Sequence, residues 1–261
     1  MTLGTGAQLL GDRYILRSAL GDEPDGSKLW LGTDEDQSTF LVKTWAYTGD
    51  RPSDIERALW DSSLRVLYRI SSSAGAARGL VQLRDAGVDT DSRVFAMVLT
   101  APGQSFVRVS DQLLGSYTYP SGPDERLIVW RSIRQLVDSI DLLHHQQVLH
   151  RNVGPDVTFV DPVAGISSMR LGGFEWSTRI GSGIVRRPAA SWSQPPEMLN
   201  GTAPAFQVET DWFGLGVLAA RLLVPLENFV RNDPDERYER TMEAIRTRTG
   251  RQLGLVERDT L

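Results

Sequence analysis

Residues 143–161 read LHHQQVLHRNVGPDVTFVD, and how this stretch is read decides the fold. A helical pattern runs into it. Over residues 124–146, Leu127, Trp130, Ile133, Leu136, Val137, Ile140 and Leu143 recur at a spacing that puts them on one face of a long core-packed helix. Beyond the stretch, Val157-Thr158-Phe159-Val160 and Met169-Arg170-Leu171 read as a short strand pair around the turn Asp161-Pro162-Val163-Ala164-Gly165. Residues 150–157 therefore form a loop between a helix and strands. The histidines His144, His145 and His150 do not read as a metal site: the first two point to different sides of the helix, and no fourth ligand follows at a recognisable spacing. His150 reads as a packed loop histidine.

Composition bounds the function classes. The chain has 261 residues, 41% hydrophobic and 23% charged, enough for one large core or two lobes sharing an interface. Its net charge of -5 is spread without a basic block, which gives no support to a nucleic-acid or anionic-membrane surface. Cysteine is absent, so disulfides and thiolate chemistry are excluded and a reducing, cytoplasmic setting fits. The opening MTLGTGAQLLG lacks the basic start and apolar core of a signal peptide. No run of about 18 apolar residues could span a bilayer.

Working outward toward the N-terminus, Arg13 to Leu20 and Lys28 to Leu31 are apolar runs broken by Gly21-Asp22-Glu23-Pro24-Asp25-Gly26, which predicts a hairpin with an acidic, solvated turn. Phe40-Leu41-Val42-Lys43-Thr44-Trp45 reads as a strand, on which Lys43 alone would be a solvated edge charge. Residues 53–70 carry Ile55, Leu59, Leu64, Leu67 and Ile70 at helical spacing, with Ser53 as N-cap. Val81 to Leu83 and Arg93 to Leu99 are expected as strands around Asp89-Thr90-Asp91, completing a small antiparallel sheet. Near residue 100 the pattern changes from strand-rich to helical.

Several of these stretches, in this order, resemble protein kinases. His150-Arg151-Asn152-Val153-Gly154-Pro155-Asp156-Val157 resembles the catalytic loop H-R-D-L-x-x-x-N in frame, with Asn152 where the proton-accepting aspartate stands, Val157 at the metal-binding asparagine and Gly154 altered between them. Gly21 and Gly26 keep the spacing of the phosphate-covering G-x-G-x-x-G, but Glu23 replaces its middle glycine. Lys43 matches the lysine of V-A-I-K, while Ser63 falls at the position of its helical glutamate partner. Gly172-Gly173-Phe174-Glu175 occupies the place of D-F-G, with Gly173 for the magnesium-binding aspartate. Gln194-Pro195-Pro196-Glu197-Met198 resembles A-P-E, and Glu209 to Leu218 resembles the D-x-W-S-x-G-V helix, whose aspartate, here Asp211, anchors the catalytic-loop backbone. The opening GDRYILRSALG is most similar to bacterial eukaryotic-like Ser/Thr kinases.

The resemblance implies an α+β, bilobal fold, with a small antiparallel-sheet N-lobe at 1–100, a hinge at Thr100 to Gly103, and a mainly helical C-lobe at 101–261 that is incomplete after about 224. Val98 would back a nucleotide pocket. With the base and both metal ligands replaced, the resemblance implies a pseudokinase lacking phosphotransfer, because magnesium needs hard oxygen ligands and an amide accepts no proton. No cofactor is expected, unless ATP binds without magnesium through Lys43, Gly21 and Gly26. Such a module would act by binding a protein partner or other domains of a longer chain, through residues 53–70, the loop 176–194 or a last helix in 232–250. Two alternatives remain: an atypical phosphoryl or nucleotidyl transferase using Asp156, Asp161 and Glu175, marked by a Glu175 carboxylate aimed at Lys43, or a metal-free nucleotide switch.

Overall fold

Strand alternation builds the first part of the chain. In β4 (Thr39–Ala46) Leu41 and Trp45 face one side and Phe40 and Val42 the other; in β6 (Val94–Thr100) Phe95, Met97 and Leu99 oppose Val94, Ala96 and Val98 in the same way. With β1 (Gln8–Leu9), β2 (Tyr14–Asp22), β3 (Lys28–Thr33) and β5 (Leu83–Asp89) they form a six-stranded antiparallel sheet in the order β1-β2-β3-β4-β6-β5. The computed structural model describes residues 3–23, 25–47, 54–73, 76–115, 117–181, 195, 207–223 and 243.

One sheet face is covered by α1 (Asp54–Ser71) through Val66, Leu67 and Ile70. The other closes on Leu9, Leu10 and Tyr14. The sheet curls until its edges meet: the Leu10 amide donates to Asp89 Oδ2 at 2.8 Å, and Arg13 pairs with Asp85 at 2.6 Å. The strand expected at Val81 to Leu83 begins only at Leu83. Leu80 is bridged to Leu171, and the Val81 amide donates to the Leu171 carbonyl at 2.9 Å.

A short α2 (Ala76–Gly79) precedes β5, and after β6 come α3 (Val109–Leu114), α4 (Pro123–His145) and α5 (Val208–Leu223), with short strands β7 (Val107–Arg108), β8 (Val148–Leu149), β9 (Thr158–Asp161), β10 (Gly165–Leu171) and β11 (Thr178–Arg179). Pro123 opens α4, and the Glu125 carboxylate accepts bonds from the Ser121 amide and hydroxyl. The α4 stripe packs inward at Ile133, Leu136, Ile140 and Leu143, but Leu127 lies outside it, 46% exposed. The architecture is thus α+β, an antiparallel-sheet N-terminal region followed by helices, consistent with a kinase-like fold. Among the described residues no helix is long and apolar enough to cross a membrane. Ser53, residues 182–194, the Gln194 to Met198 segment apart from Pro195, and the helix expected in 232–250 lie outside the described residues, as does the chain after 223 apart from Glu243.

One buried carboxylate ties α5 to the loop. Asp211, fully buried, accepts from the His150 amide (2.8 Å) and the Arg151 amide (2.7 Å), and its Oδ2 lies 3.0 Å from His144 Nε2. These contacts hold Arg151 in a left-handed backbone conformation, φ 70°. Asp211→Ala is expected to lower unfolding free energy by about 3 kcal/mol in urea melts, since two buried amides lose their acceptor.

Candidate functional site

Lys43 shares its sheet face with Leu41 and Trp45 and stands opposite Met97 on β6. It is buried, and its Nζ lies 2.9 Å from Glu175 Oε2 and 3.1 Å from Asp25 Oδ2. Asp25 is in turn held by the Ser27 hydroxyl (2.6 Å) and amide (3.1 Å) and by Trp45 Nε1 (3.1 Å). Burial alone would lower the Lys43 pKa, yet the charges of Glu175, Asp25 and Glu23 raise it above its ordinary 10.5. For Asp25, burial pushes upward but is outweighed by the Lys43 charge and the Ser27 bonds, leaving it below its ordinary 3.8.

Next along the same turn, Glu23 makes an ion pair with Arg108, which ends β7 and precedes α3. Gly21 adopts φ 137°, and a Cβ there would stand 3.5 Å from Arg108 Nη1, so the guanidinium lies against the bare glycine. Gly26 closes the turn through its amide to the Glu23 carbonyl at 3.0 Å. Glu23 and Asp25 of the acidic turn are therefore not solvated, although Asp22 is, and Lys43 is not an edge charge. Two cations beneath the turn draw its carboxylates inward.

The carboxylates on Lys43 come from this turn and from a 3-10 turn, Phe174–Trp176, that follows β10. Ser63 of α1 is buried, and its hydroxyl has no hydrogen-bond partner among the described residues. His150 is fully buried against the Phe174 ring, centroids 5.1 Å apart. Its Nε2–H donates to the Gly172 carbonyl at 2.7 Å, while Nδ1 accepts from the Asn152 amide at 3.3 Å. Burial lowers its pKa against the pull of Asp211, which keeps the ring neutral. Gly154 is buried, and its carbonyl accepts from the Thr158 hydroxyl at 2.8 Å.

The two positions that bind metal in kinases touch each other. Gly173 has φ 76°, and a Cβ on it would fall 2.5 Å from Val157 Cγ1. Gly173 offers no side chain and Val157 an apolar one, so magnesium does not fit at these positions. Of the other acids considered, Asp156 is exposed, and Asp161 bonds the Val163 amide (2.7 Å) within the β9–β10 turn; only Glu175 reaches Lys43. Val98 does not face this site. It lies with Phe40 and Val42 on the opposite sheet face, one residue out of phase with Met97 and Leu99. A cavity of about 500 Å³ opens beside the site between α1 and residues 175–179, bordered by Arg65, Arg69, Glu175 and Trp176.

No family model matches the chain. Three curated proteins show weak similarity. A eukaryotic translation initiation factor 2-alpha kinase 1 of Plasmodium falciparum is 30% identical over 35% of this chain and 6% of its own length. An Aurora kinase of Candida glabrata is 26% identical over 47% of this chain and 34% of its own. A calcium/calmodulin-dependent protein kinase type 1 of Macrobrachium nipponense is 26% identical over 81% of this chain and 56% of its own. The chain thus spans at most about half the length of these relatives, and the similarity supports a protein-kinase-like superfamily. All three are named as kinases, which corrects the expectation of a chain without phosphotransfer: the relationship points to a kinase enzyme.

Gly173→Asp is expected to destabilise the fold by about 3 kcal/mol, from the positive φ and the Val157 contact together. Val157→Ala in the same chain should recover part of the contact cost and none of the backbone cost, read by urea unfolding of the four members of the cycle. Acidification gives a second readout. Because Asp25 titrates lower in the folded than in the unfolded chain, its stabilising share is complete above its unfolded value and fades as pH falls through the folded one. The stability gap between wild type and Asp25→Asn should therefore hold steady above about pH 5 and shrink as pH falls from there to below the ordinary 3.8.

Proposed function

We propose that the chain is an atypical nucleotide-dependent phosphoryl or nucleotidyl transferase of the protein-kinase-like kind, working without magnesium at residues 157 and 173. The observation that carries this reading is the buried Glu175 carboxylate, 2.9 Å from Lys43. Lys43 receives the phosphate oxygens of ATP, with the backbone of Gly21 and Gly26 above them. Glu175 accepts the proton of an acceptor hydroxyl while its oxygen bonds to phosphorus and the bridging bond to the leaving group breaks. Asn152 takes no part in proton transfer, since an amide is not a base at neutral pH. The kinase relatives support the reaction class, and the chemistry of positions 157 and 173 supports its metal independence.

In this reading residues 1–100 and 101–261 act as lobes hinged near Thr100, the adenine edge meets Met97 and Leu99 rather than Val98, and the chain works in a bacterial cytoplasm. A regulatory contact with a protein partner is a second role, favoured by the arginine-bordered cavity beside α1.

ATP labelled at the γ-phosphate, for phosphoryl transfer, or at the α-phosphate, for nucleotidyl transfer, offered in EDTA with a basic protein acceptor, tests the proposal. Label should reach the acceptor or the chain itself. Lys43→Met should abolish both binding and transfer, whereas Glu175→Gln should reduce transfer by about 10²-fold with ATP binding changed only a few-fold. Absence of both ATP-binding heat and transferred label in EDTA would overturn it.

A further inference from the structure

Two acidic residues of one turn, Glu23 and Asp25, each meet a different cation, Arg108 and Lys43. All four side chains are largely buried. The charges do not balance: Glu23, Asp25 and Glu175 give three negatives against the two positives of Lys43 and Arg108. Without the turn the remainder would be two positives against Glu175, a site that attracts anions. The turn is held by polar contacts that a competing anion would have to replace, Asp25 to Ser27, Trp45 and Lys43 and Glu23 to Arg108. Its backbone closes through the Glu23 amide to the Ser27 carbonyl (2.8 Å) and the Gly26 amide to the Glu23 carbonyl (3.0 Å), and the β2–β3 register slips between Ala19 and Gly21 just before it. Burial pushes the Glu23 carboxyl above its ordinary range despite Lys43 and Arg108, so its charged form is held at a cost.

We propose that Lys43 and Arg108 form a two-cation site for a triphosphate-type polyanion, and that Glu23 and Asp25 are a built-in plug which the polyanion displaces. This deepens the reading above, on which it rests for the role of Lys43, and adds Arg108 as a binding residue. Each carboxylate holds one cation in the place of a phosphate oxygen. Free ligand therefore competes with the chain's own side chains, and its apparent affinity is reduced by the fraction of molecules with the plug out. The Trp45 indole reports the plug directly, because its Nε1–H donates to Asp25.

Inorganic triphosphate and ATP, both in EDTA, are titrated calorimetrically into the full chain and into Asp25→Asn, Glu23→Gln, their double variant and Arg108→Gln. Trp45 indole resonances are followed by nitrogen-15 NMR, assigned with Trp45→Phe. Triphosphate should shift the wild-type Trp45 resonance, the double variant should bind about tenfold or more tightly than wild type, and Arg108→Gln should bind more weakly. Asparagine and glutamine keep hydrogen-bonding shapes at both positions, and dispersed amide spectra confirm that each variant is folded. Equal or weaker binding by the folded double variant, with wild-type binding still lost in Lys43→Met, would overturn the plug and leave the transferase reading standing. Absence of binding by wild type and the double variant alike would overturn both.

Discussion

A lysine ammonium buried in a protein needs a countercharge, and the polar site around Lys43 is arranged to meet that need. Lys43 is placed by β4 where water cannot reach it, and the cost of desolvating an ammonium is several kcal/mol unless anions lie against it. Two carboxylates do so, from positions far apart in sequence: Asp25 in the first hairpin and Glu175 after β10. The pair of contacts fastens the sheet's turn and the segment following β10 to one atom, Nζ. A third acid, Glu23, extends the same closure to Arg108.

The frame that carries this site keeps the packing features of a kinase while its metal positions have turned apolar. Asp211 still receives the backbone of His150 and Arg151, and Phe174 still plugs the core against His150. By contrast, Gly173 and Val157 fill one another's space. Where kinases carry a magnesium-binding aspartate and asparagine, a glycine and a valine in contact leave neither a charge nor an amide to be buried without a cation. A negative charge stands two residues beyond Gly173, on Glu175, where it faces Lys43. Magnesium's electrostatic role would pass to fixed cations of the protein.

Much of the fold was legible because it rests on periodicity. The α4 stripe carries apolar residues at helical intervals, β4 and β6 are apolar runs bounded by turns, and the Asp211 helix was marked by its resemblance to a kinase motif. The site was less legible, for three physical reasons. An acidic turn looks solvated unless the cations beneath it are known, and Arg108, between a two-residue strand and a short helix, carries no signal distinguishing it from a surface arginine. Val98 differs from its neighbours Met97 and Leu99 only in parity, and parity was fixed by pairing with β4 rather than by composition. Glu175 was recognised as the residue whose direction would decide between readings, but direction is a property of the folded segment, not of the letter. The inference from missing ligands to missing activity went further than the residues alone allowed, and the kinase relatives reverse it.

What most directly tests the central idea, that the chain's own carboxylates neutralise Lys43, is the ionisation of that lysine in the ligand-free protein. Selective carbon-13 labelling of lysine Cε, with Lys43 assigned by its arginine variant, follows its shift through alkaline pH. A midpoint above the ordinary 10.5 agrees with carboxylates at bonding distance on two sides. A midpoint below it would mean that burial prevails and that Asp25 and Glu175 do not hold the ammonium.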